Sequence, residues 1–149
     1  MNDQVKKRIL KVVIGRVERI NIVDAEILGV PAKIDTGAFR SSIWATNVYE
    51  KDAQLHFTLL GPESQWYTGK ELVVDTYELV EVENSFGHKE ERYSVHIKIK
   101  MGPKVVKSNF TLSDRSQKIY PVLIGRKLLR GKFVVDVSEG EPLDDEETS

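Results

Sequence analysis

Alternation of apolar and polar residues with a period of two dominates the chain between its two ends. In the clearest segment the apolar positions are Tyr93, Val95, Ile97, Ile99 and Met101, and the polar ones are Ser94, His96, Lys98 and Lys100. This pattern predicts a half-buried strand with the apolar set in the core and the polar set in water. A turn at 101–104 and a second alternating segment at 106–112 predict that the chain returns as a hairpin.

The same spacing recurs at 30–34, 55–59 and 80–82, whereas a helical pattern is nearly absent. Only 126–130, which follows Gly125 and is stopped by Gly131, has the composition of a short helix. The sequence therefore predicts a mainly β fold of many short strands with one short helix near its C-terminal end. A closed or partly closed β-barrel is the expected way to protect so many strand edges.

The length of 149 residues, with 40% hydrophobic and 30% charged residues, is typical of one globular domain. No linker-like segment divides the chain, so we predict a single domain over 1–137. Residues 139–149 carry six acids and no base, and we predict that 138–149 is a disordered acidic tail. A tail that binds a partner is the alternative.

Charge and composition exclude several classes of function. The 22 basic and 23 acidic side chains give a net charge of −1, without the cation surplus of a dedicated nucleic-acid binder. The absence of cysteine excludes disulfides, thiolate nucleophiles and cysteine-based metal sites. No apolar run has the length of a membrane helix, and Lys11 interrupts the apolar stretch near the start. We therefore expect neither a membrane partner nor a signal peptide, and a cytoplasmic location.

Motifs for cofactors and metals are missing. The nearest approach to a phosphate-binding loop, Gly69-Lys70-Glu71, lacks the Ser or Thr that follows the lysine. His56 and His96 lie on polar faces of predicted strands, His88 lies in a predicted turn, and no H-E-x-x-H occurs. We predict no cofactor and no metal, with a zinc site as the less favoured alternative.

One segment, Val30-Pro31-Ala32-Lys33-Ile34-Asp35-Thr36-Gly37-Ala38, combines a strand with a reactive group. An apolar strand leads to an acid, which is followed by a hydroxyl, a glycine and a small residue in a tight turn. We expect the glycine to permit a backbone path closed to other residues, and neighbouring amides to hydrogen-bond the carboxylate. A plain turn after a strand is the alternative interpretation.

Ninety residues later, the apolar run Tyr120 to Ile124 ends at Gly125 and enters the one predicted helix. Asp35-Thr36-Gly37-Ala38, together with this later apolar-apolar-Gly-Arg, resembles the retropepsin fold of aspartic proteases. In that family a second loop, preceded by two apolar residues that here are Leu123 and Ile124, braces the acid-bearing loop.

The resemblance is closer still to a bacterial group labelled ATP-dependent zinc proteases, whose members are retropepsin-like. The group's motifs match at 32–38, at Ser113-Asp114-Arg115-Ser116, at 120–126 and at 131–136, so the resemblance covers about residues 15 to 137. The chain departs from the pattern at Phe39-Arg40, where the group has Arg-Thr, and at Trp44, where it has His. We expect these departures to alter the charge and shape of the pocket. The group's label implies zinc and ATP, for which the sequence offers no support.

The resemblance implies an aspartic peptidase that acts as a homodimer, because the chain carries one Asp-Thr-Gly and the mechanism uses two carboxylates. It implies that Asp35 is the general acid and base. Thr36 would hydrogen-bond across the two-fold axis, and the backbone of Gly37 would position the substrate. Leu123, Ile124, Gly125 and Arg126 would support the loop, with Arg126 bracing either the loop or the dimer.

The substrate is expected to be a peptide or protein, contacted by Ala38, Phe39 and Arg40. Arg40 is the candidate for binding an acidic group, and its alternative is an ion pair within its own barrel. The turn at 84–88, with Phe86 and Gly87, is the candidate for a flap over the substrate or else an ordinary hairpin turn.

The resembled group often accompanies ligases that add glutamates to proteins, which suggests glutamate-rich substrates by association. Two other functions remain open: a retropepsin-like module that binds or assembles peptides without cutting them, and a zinc-dependent peptidase.

Overall fold

The computed structural model describes residues 11–84 and 86–140. Strands make up most of this part of the chain, together with a 3-10 turn at Val23–Ala25 and the helix α1 at Arg126–Leu129. The strands are β1 (Val12–Ile14), β2 (Val17–Ile22), β3 (Ile27–Ile34), β4 (Ser41–Lys51), β5 (Gln54–Leu59), β6 (Glu71–Val74), β7 (Glu78–Glu83), β8 (Lys89–Met101), β9 (Lys104–Ser113), β10 (Val122–Ile124) and β11 (Phe133–Val135).

Six strands form a closed ring of hydrogen-bonded neighbours in the order β10, β3, β2, β8, β9, β4 and back to β10. β5 and β6 extend the sheet from β4, and β7 pairs with β8 outside the ring. β1 and β11 form a separate parallel pair. The predictions of a mainly β fold, a partly closed barrel and one short helix near the C-terminal end are confirmed.

The core lies inside this ring and follows the predicted alternation. Val95, Ile97, Ile99 and Met101 of β8 are each no more than 1% exposed, as are Ile20 of β2 and Val30 of β3. Burying a side chain of this size contributes about 1.5–3 kcal/mol. The opposite face of β8 carries His96, Lys98 and Lys100 in solvent, as the sequence predicts.

Ser94 is an exception to that alternation. It was predicted to face water, but it is 2% exposed and lies opposite Thr111 of β9, which is 3% exposed. The segment at Arg40 and Ser41 lies against this end of the sheet, with Ser94 and Thr111 lining the same small cavity. The polar face is therefore buried here, because the connection between β3 and β4 covers it.

Trp44 lies in the core and not at a substrate pocket. Its side chain is 6% exposed and packs against Gly61 so closely that a Cβ on Gly61 would collide with the indole ring. The expectation that Trp44 alters the pocket is therefore wrong, because the position points inward from β4.

The described chain continues into the first residues of the predicted tail. The backbone amide of Arg16 donates to the carbonyl of Glu139 at 2.8 Å, and Arg16 Nη2 donates to the carbonyl of Gly140 at 2.9 Å. Residues 141–149, on which the prediction of disorder mostly rests, lie outside the described residues. Among the helices within 11–84 and 86–140, none is long and apolar enough to cross a membrane.

Candidate active site

The loop that carries Asp35 begins where β3 ends. β3 runs parallel to β10, and the Asp35 amide continues this pairing by donating to the Ile124 carbonyl at 2.9 Å. Asp35 Oδ1 accepts a hydrogen bond from the Gly37 amide at 3.0 Å, and the Ala38 amide closes the turn on the Asp35 carbonyl at 3.2 Å. The carboxylate is half-buried and is held by its own loop.

Gly37 has a different role from the one the sequence suggested. It is not among the glycines with positive φ, so the expectation of a backbone path closed to other residues is wrong. A Cβ at this position would lie 3.2 Å from Asp35 Oδ1, closer than side chains normally approach. Glycine is favoured here because the carboxylate folds back against the backbone.

A second loop, at the junction of β10 and α1, lies directly beneath the acid loop. The amide of Arg126 donates to the Ala38 carbonyl at 2.8 Å, and that of Lys127 donates to the Phe39 carbonyl at 3.1 Å. Arg126 Nη1 also donates to the Thr36 carbonyl at 3.0 Å. The side chain of Arg126 thus contacts the acid loop of its own chain.

Gly125 allows this contact between the two loops. A Cβ on Gly125 would lie 2.6 Å from the Arg40 carbonyl oxygen and 2.8 Å from that of Phe39. Its amide donates to Ser41 Oγ at 3.0 Å. Of the other residues predicted to support the loop, Ile124 is fully buried and Leu123 lies beside the acid loop on β10.

A cavity of about 720 Å³ opens next to Asp35. The acid loop contributes Asp35, Ala38, Phe39 and Arg40, and the β7 side of a hairpin contributes Glu81, Val82 and Glu83. The remaining walls are Lys33, Ser42, Arg92, Thr111, Arg115, Lys118 and Leu123. The predicted substrate contacts Ala38, Phe39 and Arg40 therefore share one cavity with the acid.

The turn between β7 and β8 is a hairpin, as predicted. Asn84 Oδ1 accepts hydrogen bonds from the amides of Phe86 at 2.9 Å and His88 at 3.0 Å, and Gly87 has a φ of +79°. Phe86 is 83% exposed at the tip. Within one chain the stem of this hairpin borders the cavity, whereas Phe86 and Gly87 do not line it.

The cavity is more basic than the protein as a whole. Its walls hold five cationic side chains (Lys33, Arg40, Arg92, Arg115, Lys118) and three anionic ones (Asp35, Glu81, Glu83). Two of the charges on the hairpin are already matched: Arg92 Nε donates to Glu90 Oε1 at 2.6 Å, and Lys89 lies 3.4 Å from Glu81. Arg40 is exposed and makes no ion pair with any residue that the structure describes.

Arg115 is a site residue to which sequence reasoning gave no role. Its Nε donates to the Tyr120 carbonyl at 2.9 Å, and its side chain is partly buried. Burial and the charge of Arg92 lower the pKa of Arg115, whereas the negative charge of Asp35 raises it. The guanidinium therefore lies close enough to Asp35 for the two charges to interact. In the sequence, the only sign of this role is the Ser113-Asp114-Arg115-Ser116 motif. The motif alone does not show that Arg115 lies near Asp35.

The neighbours of Arg115 in this motif hold its loop in place. Ser113 Oγ lies 2.7 Å from Ser42 Oγ, which ties the loop to β4. The Ser116 hydroxyl and the Ser116 amide both hydrogen-bond the Asp114 carboxylate and lower its pKa, the amide donating to Oδ1 at 2.9 Å. The motif thus forms a hydrogen-bonded support for the arginine.

A model of one protein family, described as the retropepsin-like aspartic endopeptidase RimB, matches residues 13–145. The chain belongs to the RimB-like family. The resemblance seen in the sequence is thereby confirmed at the level of family and fold.

Two curated relatives are probable alpha-L-glutamate ligases. The one from Desulfotalea psychrophila is 26% identical over 86% of this chain, and the one from Shewanella pealeana is 29% identical over 75%. The matched regions are 28% and 26% of those proteins, so the chain spans about a quarter of their length. The crystal structure of protein Lpg0085, of unknown function, from Legionella pneumophila has a TM-score of 0.65 and 28% identity. The structural match covers 86% of this chain and 95% of the Legionella protein's chain.

The zinc that the bacterial group's label implies has no matching donor set in 11–84 and 86–140. No three His, Asp or Glu side chains there come together as a metal-binding group. His56 Nδ1 instead bonds Glu71 Oε1 at 3.0 Å, and its ring stacks on Tyr49 with centroids 4.7 Å apart. The described residues therefore do not fit a zinc site.

Gly125→Ala should destabilise the RimB-like fold by about 1–3 kcal/mol, because the added methyl group has no space against the backbone of the acid loop. The free energy of unfolding from denaturant titration measures this effect. Arg130→Ala, an exposed change directly after α1, serves as the control and should leave stability within about 0.5 kcal/mol of wild type. A Gly125→Ala variant as stable as the control would show that the two loops do not need this close contact.

Proposed function

We propose that this protein is an aspartic peptidase in which Asp35 and its counterpart from a second copy form the catalytic pair. The observation that carries the proposal is the position of Asp35: a fixed carboxylate at the edge of a large cavity, with a hairpin stem on the other side. Membership of the RimB-like family supports it.

The chemistry needs two carboxylates that share one proton. The ionised one takes a proton from water, whose oxygen attacks the carbonyl carbon of the peptide, while the protonated one gives its proton to the carbonyl oxygen. The tetrahedral intermediate then collapses: one of its two hydroxyl groups returns a proton to the carboxylate that gave it, the C–N bond breaks, and the nitrogen takes a proton from the other carboxyl group and leaves as an amine. The pair is left with one shared proton, as at the start. The products are a carboxylic acid and an amine.

A second copy would complete the site, because each chain supplies one Asp-Thr-Gly. The neighbouring Thr36 is exposed and its hydroxyl makes no hydrogen bond within 11–84 and 86–140, which leaves it free to bond across a two-fold axis. Phe39 is 44% exposed, and the Arg126 guanidinium lies 6.0 Å from the centre of its ring. This surface beside the acid loop is our candidate for the contact between copies.

Acidic peptides are the proposed substrates. The cation excess around Asp35 would attract them, although the chain as a whole is close to neutral. Two relatives are named as glutamate ligases, which is consistent with a substrate rich in glutamate. Arg40, exposed and without an ion pair among the described residues, is the proposed contact at the rim of the cavity.

The dimer can be tested by mixing wild type with Asp35→Asn chains in equal amounts after dissociation and reassembly. If both carboxylates are needed, random pairing should leave about one quarter of the activity of the same total amount of wild type. Independent monomers would leave about one half. Analytical ultracentrifugation at assay concentration should show the dimer, and a purely monomeric active protein would contradict the proposal.

Asp35→Asn should lower kcat for peptide hydrolysis by at least about 100-fold, because the amide cannot accept the proton of water. Asp75→Asn is the matched control, since Asp75-Thr76 repeats the Asp-Thr pair without the glycine and lines a different cavity. Circular dichroism should show both variants folded.

A folded Asp35→Asn variant with normal turnover would exclude the mechanism. If the wild type binds peptides but cleaves none, the result would instead favour the alternative of a retropepsin-like module that binds peptides without cutting them. A chelator should leave the activity unchanged, and its loss would favour the zinc-dependent alternative.

Arg40→Ala should weaken the preference for glutamate-rich over neutral peptides by about 2- to 5-fold, as expected for an exposed charge contact. Peptide libraries of the two compositions, compared with wild type and variant, measure this ratio. Identical cleavage profiles for the two enzymes would assign Arg40 a structural role.

A further inference from the structure

We propose that Arg115 is the specificity-determining residue that binds a substrate carboxylate next to the scissile bond. The inference rests on the proposed function, and it gives Arg115, which takes no part in the mechanism above, a role in recognising the substrate. It also separates two subsites: Arg115 inside the cavity, and Arg40 at its exposed rim.

The guanidinium of Arg115 has donors that the described residues do not use. Nε is used by the Tyr120 carbonyl, but the two terminal nitrogens make no hydrogen bond with any residue in 11–84 and 86–140. These nitrogens are not among the buried side-chain atoms that lack a partner, so they reach solvent and can exchange water for a ligand. The two free nitrogens form the planar fork that matches a carboxylate in two parallel hydrogen bonds.

Three of the four other cations of the cavity differ from Arg115 in their pairing or exposure. Arg92 is already neutralised by Glu90, to which both its Nε and its Nη2 bond. Arg40 and Lys118 are exposed, so that solvent screens their charges. Arg115 is partly buried and held in place at Nε, and an ion pair formed there is screened less.

The position of Arg115 also suits this role. Arg115 lines the same cavity as Asp35, and its charge interacts with that of Asp35 without the contact of an ion pair. Since Asp35 marks the scissile bond, a side chain that reaches Arg115 belongs to a residue at or beside that bond. The chemical group that fits is the carboxylate of a glutamate or aspartate.

The test is a glutamine scan of hexaglutamate, in which one glutamate at a time is replaced by glutamine. In the wild type, one replacement beside the cleaved bond should lower kcat/KM by about 10- to 100-fold, the value of a partly buried charged hydrogen bond. In Arg115→Gln the parent peptide should lose the same factor, and that replacement should then have almost no further effect.

The comparison separates recognition from structure. If Arg115 only supported its loop through the Tyr120 carbonyl, Arg115→Gln would lower kcat/KM for every peptide by the same factor, and the glutamine effect would persist. That result overturns the proposal. Arg115→Lys, which keeps the charge and loses the fork, should retain part of the preference. Arg130→Gln is the matched control and should retain all of it.

Binding gives a readout that does not depend on catalysis. The same peptides can be titrated calorimetrically into Asp35→Asn and into Asp35→Asn/Arg115→Gln. A glutamine effect present in the first and absent in the second supports the proposal even if the wild type cleaves no peptide, in which case only the proposed function fails. If Asp35→Asn binds the parent and the glutamine-substituted peptide with equal affinity, or if neither protein binds any peptide, the proposed role of Arg115 is overturned.

Discussion

The position of Asp35 depends on the close approach of two backbones. The acid loop lies on the junction of β10 and α1 through amide-to-carbonyl bonds from Asp35 to Ile124 and from Arg126 to Ala38, at 2.9 and 2.8 Å. The two backbones are so close at Gly125 that this position has no space for a side chain. Because β10 pairs with both β3 and β4, it closes the ring of strands and also supports the loop that joins those two strands. The same strand, β10, therefore both closes the barrel and positions the acid loop.

The sequence predicted the parts of the fold that follow from local alternation. β8 and β9 could be identified because one face meets the core and the other meets water over most of their length. Ser94 and Trp44 were misplaced for a common reason: their surroundings are set by distant segments, the β3–β4 connection for Ser94 and Gly61 for Trp44. Periodicity contains no information about which loop covers which face.

The site was predicted to the extent that its chemistry is contiguous in sequence. Asp35 and the loop around it could be found from one motif, and Leu123 to Arg126 from its resemblance to a known family. The predicted role of Gly37 was wrong. A sequence does not show whether a glycine is needed for a positive φ or for close contact with a carboxylate. Arg115 lies eighty residues from Asp35, and a net charge of −1 conceals the basic cavity that they share.

The charged side chains of the cavity come from two parts of the fold, the barrel and the β7–β8 hairpin. On the barrel side, Arg115 is held through Tyr120 and through the pairing of Ser113 with Ser42, and its fork remains available. On the hairpin, Arg92 is matched by Glu90 and Glu81 by Lys89. Hairpin charges that are already paired, as at Arg92 and Glu81, gain little by discriminating between side chains, whereas a guanidinium with two open donors on a rigid support can select a carboxylate by two parallel hydrogen bonds. On the proposed function, selection of the substrate would therefore fall to the barrel, and the hairpin would serve to enclose the bound peptide.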